Sequence, residues 1–216
     1  MNAAVIFDMD GVILDSEIPY VECWKAVGEE YGLRDVVEMS HRIIGVNEEK
    51  SRSLFNEFYA GAYDYDKCRT RVFELFHARY DGRIPLKSGV PEILAFLKER
   101  CVPIALASST DIRTIERELG DVGLGQAFDH VIGGDMIRRS KPEPDIFLAA
   151  AQELGTVPCN CYVIEDSHNG IRAAAAAGMH PIMIPDLLEV TEEMQTLAET
   201  ICPSLHAAIE YLTDRL

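Results

Sequence analysis

Five short apolar runs limit what this chain can fold into. Residues 3–7, 103–107, 130–132, 161–164 and 181–184 are each too short for a helix and rich in Val, Ile or Ala. Strands covered on both faces have this character. Between the runs the apolar spacing turns helical. Residues 91–100 carry proline in the first turn and place Ile93, Leu94, Phe96 and Leu97 on one broad face. Residues 111–119 follow Ser109 and Thr110, read as their capping residues. Residues 145–154 stop at Gly155 and residues 170–177 at Gly178, where glycine suits a left-handed cap. The alanines at 173–177 read as a helix lying on a sheet. Strands alternating with helices predict an α/β fold with a parallel sheet and right-handed crossovers.

The stretch from 16 to 87 reads differently. It shows helical periodicity at 20–31, 48–59 and 66–80 and no convincing strand. Ile18-Pro19 marks one junction, and Asp81-Gly82 to Gly89 marks the other. The expectation is an all-helical cap inserted after the first strand. The core would be residues 1–15 and 88–216, and the cap residues 16–87.

The chemistry gathers at the ends of the apolar runs. Phe7-Asp8-Met9-Asp10-Gly11 runs a strand into two carboxylates one residue apart. In an open parallel sheet, ligands bind beyond the carboxyl ends of the strands. Alternation puts Asp8 and Asp10 on one side and Met9 on the other. Taken alone, this pattern fits a solvated acidic turn equally well. A second buried run ends in Glu165-Asp166, so two strand ends would bring four carboxylates together. Like charges in a low-dielectric cleft disfavour ionisation, and a hard divalent cation relieves them. An all-oxygen set suits Mg²⁺ rather than zinc. Two further ends supply donors: Ser108-Ser109-Thr110 ahead of a helix, and Lys141 in Ser140-Lys141-Pro142. Free N–H groups at a helix start favour an anion.

Composition narrows the classes. Of 216 residues, 36 are acidic and 20 basic, giving a net charge of −16. Nucleic acid needs a basic footprint, so it is excluded as a partner. A small phosphorylated metabolite is not, because a local cationic pocket can outweigh the global field. No apolar stretch approaches the ~18 residues of a membrane span, and the first residues lack a basic leader. The six cysteines are scattered, and Cys159-x-Cys161 reads as small buried residues at a strand edge. Reduced thiols fit a cytoplasmic protein, expected to be monomeric.

The strand-end motifs, in this order over nearly the whole chain, resemble the haloacid dehalogenase superfamily in its β-phosphoglucomutase-like subgroup with a helical cap. The resemblance implies a Rossmann-like core with the first strand central. It implies Asp8 as nucleophile and Asp10 as general acid and base. Ser108 and Lys141 would bind phosphate, with backbone N–H groups near Ser109. Glu165 and Asp166 would bind Mg²⁺, completed by Asp8 and the Asp10 backbone carbonyl. The expected activity is hydrolysis of a small phosphomonoester, such as a sugar phosphate, through an aspartyl-phosphate.

The alternatives are a phosphoglucomutase-type isomerase, a metal-free dehalogenase and a non-catalytic phosphate binder. Mutases of the family hold a second phosphate with a cap arginine after Gly-Val. Here Gly45-Val46-Asn47-Glu48 places Glu48 there, and Tyr20 stands where their hinge histidine would be. Arg42, Lys50 or Arg52 could compensate, though a solvated helix face explains them better. The cap residues expected to face the cleft are Glu17, Tyr20, Asn47 and Glu48, with Trp24 better explained as core. His168 follows the acidic pair without an assigned role.

Overall fold

The structure, a computed structural model, describes residues 3–216. Met1 and Asn2, the start of the segment read as lacking a basic leader, lie outside the described residues. Six strands form one parallel sheet: β1 (Ala4–Phe7), β2 (Ile104–Ala107), β3 (His130–Ile132), β4 (Cys161–Glu165), β5 (His180–Met183) and β6 (Thr200–Ile201). Their spatial order is β3-β2-β1-β4-β5-β6, so the first strand is central as expected. All four residues of β1 are buried. Ala4 and Ile6 face a layer with Phe147, Ala173 and Ala174, while Val5 and Phe7 face the opposite core. Burial on both faces explains the unbroken apolar runs.

Helices cover the sheet: α5 (Val90–Glu99), α6 (Ile112–Asp121), α7 (Asp145–Glu153), α8 (His168–Ala176), α9 (Glu192–Leu197) and α10 (Leu205–Thr213) follow the cap helices in the chain. Gly155 and Gly178 have positive φ, as the left-handed caps require. The cap of α6 is corrected. Asp111, not Ser109 or Thr110, accepts the Thr114 N–H at 3.1 Å. Ser108 Oγ instead accepts the Thr110 N–H. The paired-cysteine reading holds for Cys161, buried at the start of β4, but Cys159 is exposed. All six cysteines lie among the described residues and are free.

Between β1 and β2 the chain forms α1 (Glu17–Tyr31), α2 (Val36–Arg42), α3 (Glu48–Phe58) and α4 (Tyr65–Tyr80), the expected helical insertion with one further helix, α2. Its interior is aromatic: Trp24, fully buried, packs 5.9 Å from Phe55, which lies 5.2 Å from Tyr65. Two crossing segments connect it to the sheet. The Asp15 N–H donates to Pro85 O and the Lys87 N–H to Ile13 O, both at 2.9 Å. Lys87 Nζ bridges Asp15 and Asp186. Among the described residues, no helix is long and apolar enough to cross a membrane.

Candidate active site

Sheet register brings the strand-end residues together. Phe7 is level with Leu106 on β2 and with Ile164 on β4. The next residues, Asp8, Ala107 and Glu165, therefore stand at one height on the carboxyl edge of the sheet. The Asp8 N–H still bonds Ile164 O at 3.0 Å. After Asp8 the chain turns tightly, with Met9 O accepting from Ile13 and Leu14. Gly11 adopts φ +77° in that turn, and a Cβ there would collide with the Asp166 carboxylate.

Asp8, Glu165 and Asp166 are buried, and each offers a carboxylate oxygen within 4.8 Å of the others. Lys141, 1% exposed, donates to Asp8 Oδ1 at 2.5 Å, Glu165 Oε1 at 2.7 Å and Ala107 O at 3.3 Å. Glu165 Oε2 accepts the Ser167 N–H at 2.8 Å. One ammonium shared between two acids leaves the anions undercompensated while the cation gains from both. Burial accordingly pushes Asp8 up to about 8 despite the opposing pull of Lys141, with Glu165 and Asp10 adding to the rise. The Lys141 ammonium is held more firmly than usual, because Asp8 and Glu165 outweigh its own burial. Asp166 is pushed well above the carboxylate range by burial and then by Glu165 and Glu17.

The Asp166 carboxylate accepts no hydrogen bond and meets no cation among the described residues. An unpaired carboxylate lining the cavity beside two other carboxylates fits a divalent metal.

Asp10 faces the same cleft as Asp8, while Met9 is fully buried on the other side. Its Oδ1 accepts from Ser16 Oγ at 2.6 Å and its Oδ2 from Thr110 Oγ1 at 3.2 Å. Burial raises its pKa, and the two hydroxyl bonds partly oppose the rise. Thr110 belongs to the hydroxyl run that the sequence marks as donors after β2, although its bond to Asp10 is not foreseen there, and Ser16 carries no such mark. The only signal for Ser16 is its place six residues after Asp10, at the hinge.

A cavity of about 650 Å³ lies between these groups and the cap. Asp8, Asp10, Ser108, Ser109 and Asp166 form its floor, whereas Lys141 and Glu165 sit behind them. Ser109 Oγ donates to Gly45 O at 3.3 Å, closing the cap loop onto the core. Glu17, Tyr20, Asn47 and Glu48 line the cavity as expected. The Asn47 oxygen, however, caps α3 by accepting the Lys50 N–H. Glu17 is nearly buried and shifted well upward by burial and then by Asp10 and Asp8. Arg52, read as solvated, lines the cavity but is paired with Asp66 and Glu48. Arg42 pairs with Glu38 outside the cavity. Arg69, Phe73 and Glu118 also line it, and no motif marked them. His168 bonds Glu189 O and does not reach the cavity.

The chain is similar to known proteins over this same architecture. Residues 3–178 match the profile of haloacid dehalogenase-like hydrolases. A phosphorylated carbohydrates phosphatase of Thermotoga maritima is 35% identical over 179 residues, spanning 83% of each chain. The β-phosphoglucomutase of Bacillus subtilis is 31% identical over 188 residues, covering 83% of this chain and 81% of its own. The crystal structure of a β-phosphoglucomutase from Clostridium difficile superposes with a TM-score of 0.81 at 23% identity, covering 99% of this chain and 96% of that one. That last likeness concerns the fold alone. With its central β1, its strand-end acids and a match over most of its length, the chain belongs to the haloacid dehalogenase-like hydrolase family.

Proposed function

We propose that this chain is an Mg²⁺-dependent phosphatase that hydrolyses a small phosphomonoester through an aspartyl-phosphate at Asp8. One observation carries the reading. Asp8 and Asp10 share the floor of one cavity, yet their surroundings differ: Asp8 is gripped by Lys141, and Asp10 by two neutral hydroxyls. Carboxylates in different settings can take different roles.

In the reaction, an Asp8 oxygen attacks phosphorus as the ester bond breaks. Lys141 fixes the direction of that carboxylate. Asp10 starts protonated, a state its burial favours, and gives its proton to the departing oxygen. It then takes a proton from the water that attacks the phosphoaspartate. Free phosphate leaves and Asp8 is restored. Ser108, Ser109 and nearby backbone N–H groups bind the phosphoryl oxygens. Asp8, Glu165 and Asp166, with the Asp10 carbonyl, would hold Mg²⁺, which when bound neutralises repulsion between the carboxylates and the phosphate dianion.

The reading divides the chain into a core, residues 1–15 and 88–216, and a cap, residues 16–87. The crossing bonds at Asp15 and Lys87 and the cap's own aromatic interior support that division. Six free thiols support a reducing, cytoplasmic setting. The named activity of the Thermotoga relative supports a phosphorylated carbohydrate as substrate. The mutase reading is weaker because both cap arginines at the cavity already pair with Glu48.

The test is turnover of a phosphomonoester panel with Mg²⁺, against EDTA and the Asp8→Asn variant. Phosphate release abolished by both is expected, and release surviving both overturns the mechanism. With β-glucose 1-phosphate and its 1,6-bisphosphate, glucose 6-phosphate forming faster than free phosphate would establish the mutase instead.

A further inference from the structure

The roof of the cavity contains a cation that the phosphoryl-transfer chemistry does not use. Arg69, on α4, donates through Nε to Glu48 Oε2 at 3.2 Å. Its guanidinium carbon lies 5.5 Å from the ring centres of both Tyr20 and Phe73. The side chain is 28% exposed and lines the cavity, and its two terminal nitrogens make no hydrogen bond to the described residues. An aromatic shelf and one carboxylate thus hold the fork in place while its outer donors stay free. Arg52, the other arginine lining the cavity, is engaged by Asp66 at 2.5 Å and by Glu48 at 3.7 Å.

Charge decides what these free donors can accept. Glu48 and Glu49 line the roof beside Arg69, and the floor is acidic. A second phosphate would enter among carboxylates with its nearest cation already paired. Neutral hydroxyl or carbonyl oxygens meet no such penalty, and the donors of a fixed guanidinium gain acceptors. Tyr20 and Phe73 would cover the carbon skeleton between those oxygens.

We infer that Arg69, positioned by Glu48, is a specificity residue that recognises the uncharged, hydroxyl-bearing leaving group of a sugar or polyol monophosphate and disfavours bisphosphates. This rests on the phosphatase reading of the core.

The experiment compares kcat/KM for hexose, pentose and polyol monophosphates, one hexose bisphosphate and phenyl phosphate, whose leaving group has no hydroxyl acceptors besides the ester oxygen. The intact protein should prefer its best monophosphate over both the bisphosphate and phenyl phosphate. Arg69→Gln should lower the ratio of sugar phosphate to phenyl phosphate by about tenfold to a hundredfold, as loss of charge-assisted bonds does. Arg69→Lys should recover part of that ratio. Arg71→Gln, on the same helix but paired with Glu30 and Glu74 away from the cavity, should leave it unchanged.

Glu48→Gln should raise the rate on the bisphosphate relative to the monophosphate. A ratio moving less than twofold in Arg69→Gln, or a native preference for the bisphosphate, overturns the inference. So does phenyl phosphate turned over as well as every sugar phosphate, which would still leave the phosphatase standing. No turnover of any ester removes the phosphatase reading, and the inference with it.

Discussion

The floor and the roof of the cleft are both crowded with charge, but they are held by different means. At and just behind the floor, Asp8, Glu165 and Lys141 are nearly inaccessible: sheet register fixes the two acids at the ends of adjacent strands β1 and β4, and Lys141 reaches both from the loop between β3 and α7. On the roof, Glu48, Arg52 and Arg69 are 28–52% exposed and sit on helices whose mutual packing is aromatic. Buried ion pairs leave a costly orphan charge when one partner is removed, whereas exposed pairs contribute little. The floor therefore tolerates almost no change, and the roof can vary at small cost in stability. A fold built this way keeps one reaction while exchanging leaving groups.

The sharpest contrast is in turnover. Asp8→Asn preserves shape and removes the nucleophile, so kcat on the best phosphomonoester should fall at least about 10⁴-fold, as for other nucleophile deletions. Steady-state phosphate release, with circular dichroism to confirm folding, measures it. A loss below tenfold would mean that Asp8 is not the attacking group. Lys141→Met tests the same floor through stability. It leaves Asp8 and Glu165 without their common partner and should cost about 3 kcal/mol in urea unfolding. A cost under about 1 kcal/mol would show that the floor's charges are already neutralised by protonation.

The floor was legible in the sequence because its residues follow short apolar strands directly. Asp8, Ser108 and Glu165 each stand next to or at the end of such a run, and parallel register aligns those ends without further information. Lys141 was marked by the prolines beside it, though not its contact with Glu165. The roof offered no equivalent signal. Arg69 lies mid-helix in a segment with many charges, and only the packing of α4 against α1 turns it toward the cavity. Ser16 and Thr110 meet at Asp10 from positions 94 residues apart, a contact set by tertiary structure alone. Strand β6 was missed because two half-buried residues leave no periodicity, and α2 because seven residues, of which only Met39 and Ser40 are buried, make no clear face.

Glu118 lies between the two regimes, on a core helix but lining the cavity. Burial, and then Asp10, push it up to about 8 from 4.5, with Arg117 only partly opposing. An acid raised on folding binds its proton more tightly in the folded state. Its contribution is therefore complete below about pH 4.5 and is lost as pH rises through 8. Glu118→Gln removes that dependence. The variant should melt about 3–8 °C above the native chain at pH 9 and within about 1 °C of it at pH 4.5. Equal shifts at both values would mean that Glu118 contributes by packing rather than by charge.

The smallest effect belongs to the cap's outer face. Arg71 reaches Glu30 and Glu74 at 2.9 Å, with all three side chains at least one-third exposed. Water and salt screen such pairs, and ordering three long side chains offsets much of the attraction. Arg71→Gln should therefore move the melting temperature by less than about 2 °C, and less still at 0.5 M salt. A shift as large as that of Lys141→Met would erase the distinction between floor and roof. It would mean that the cap's ion pairs hold the four helices together, and that Arg69 could not be altered for specificity without unfolding the roof that carries it.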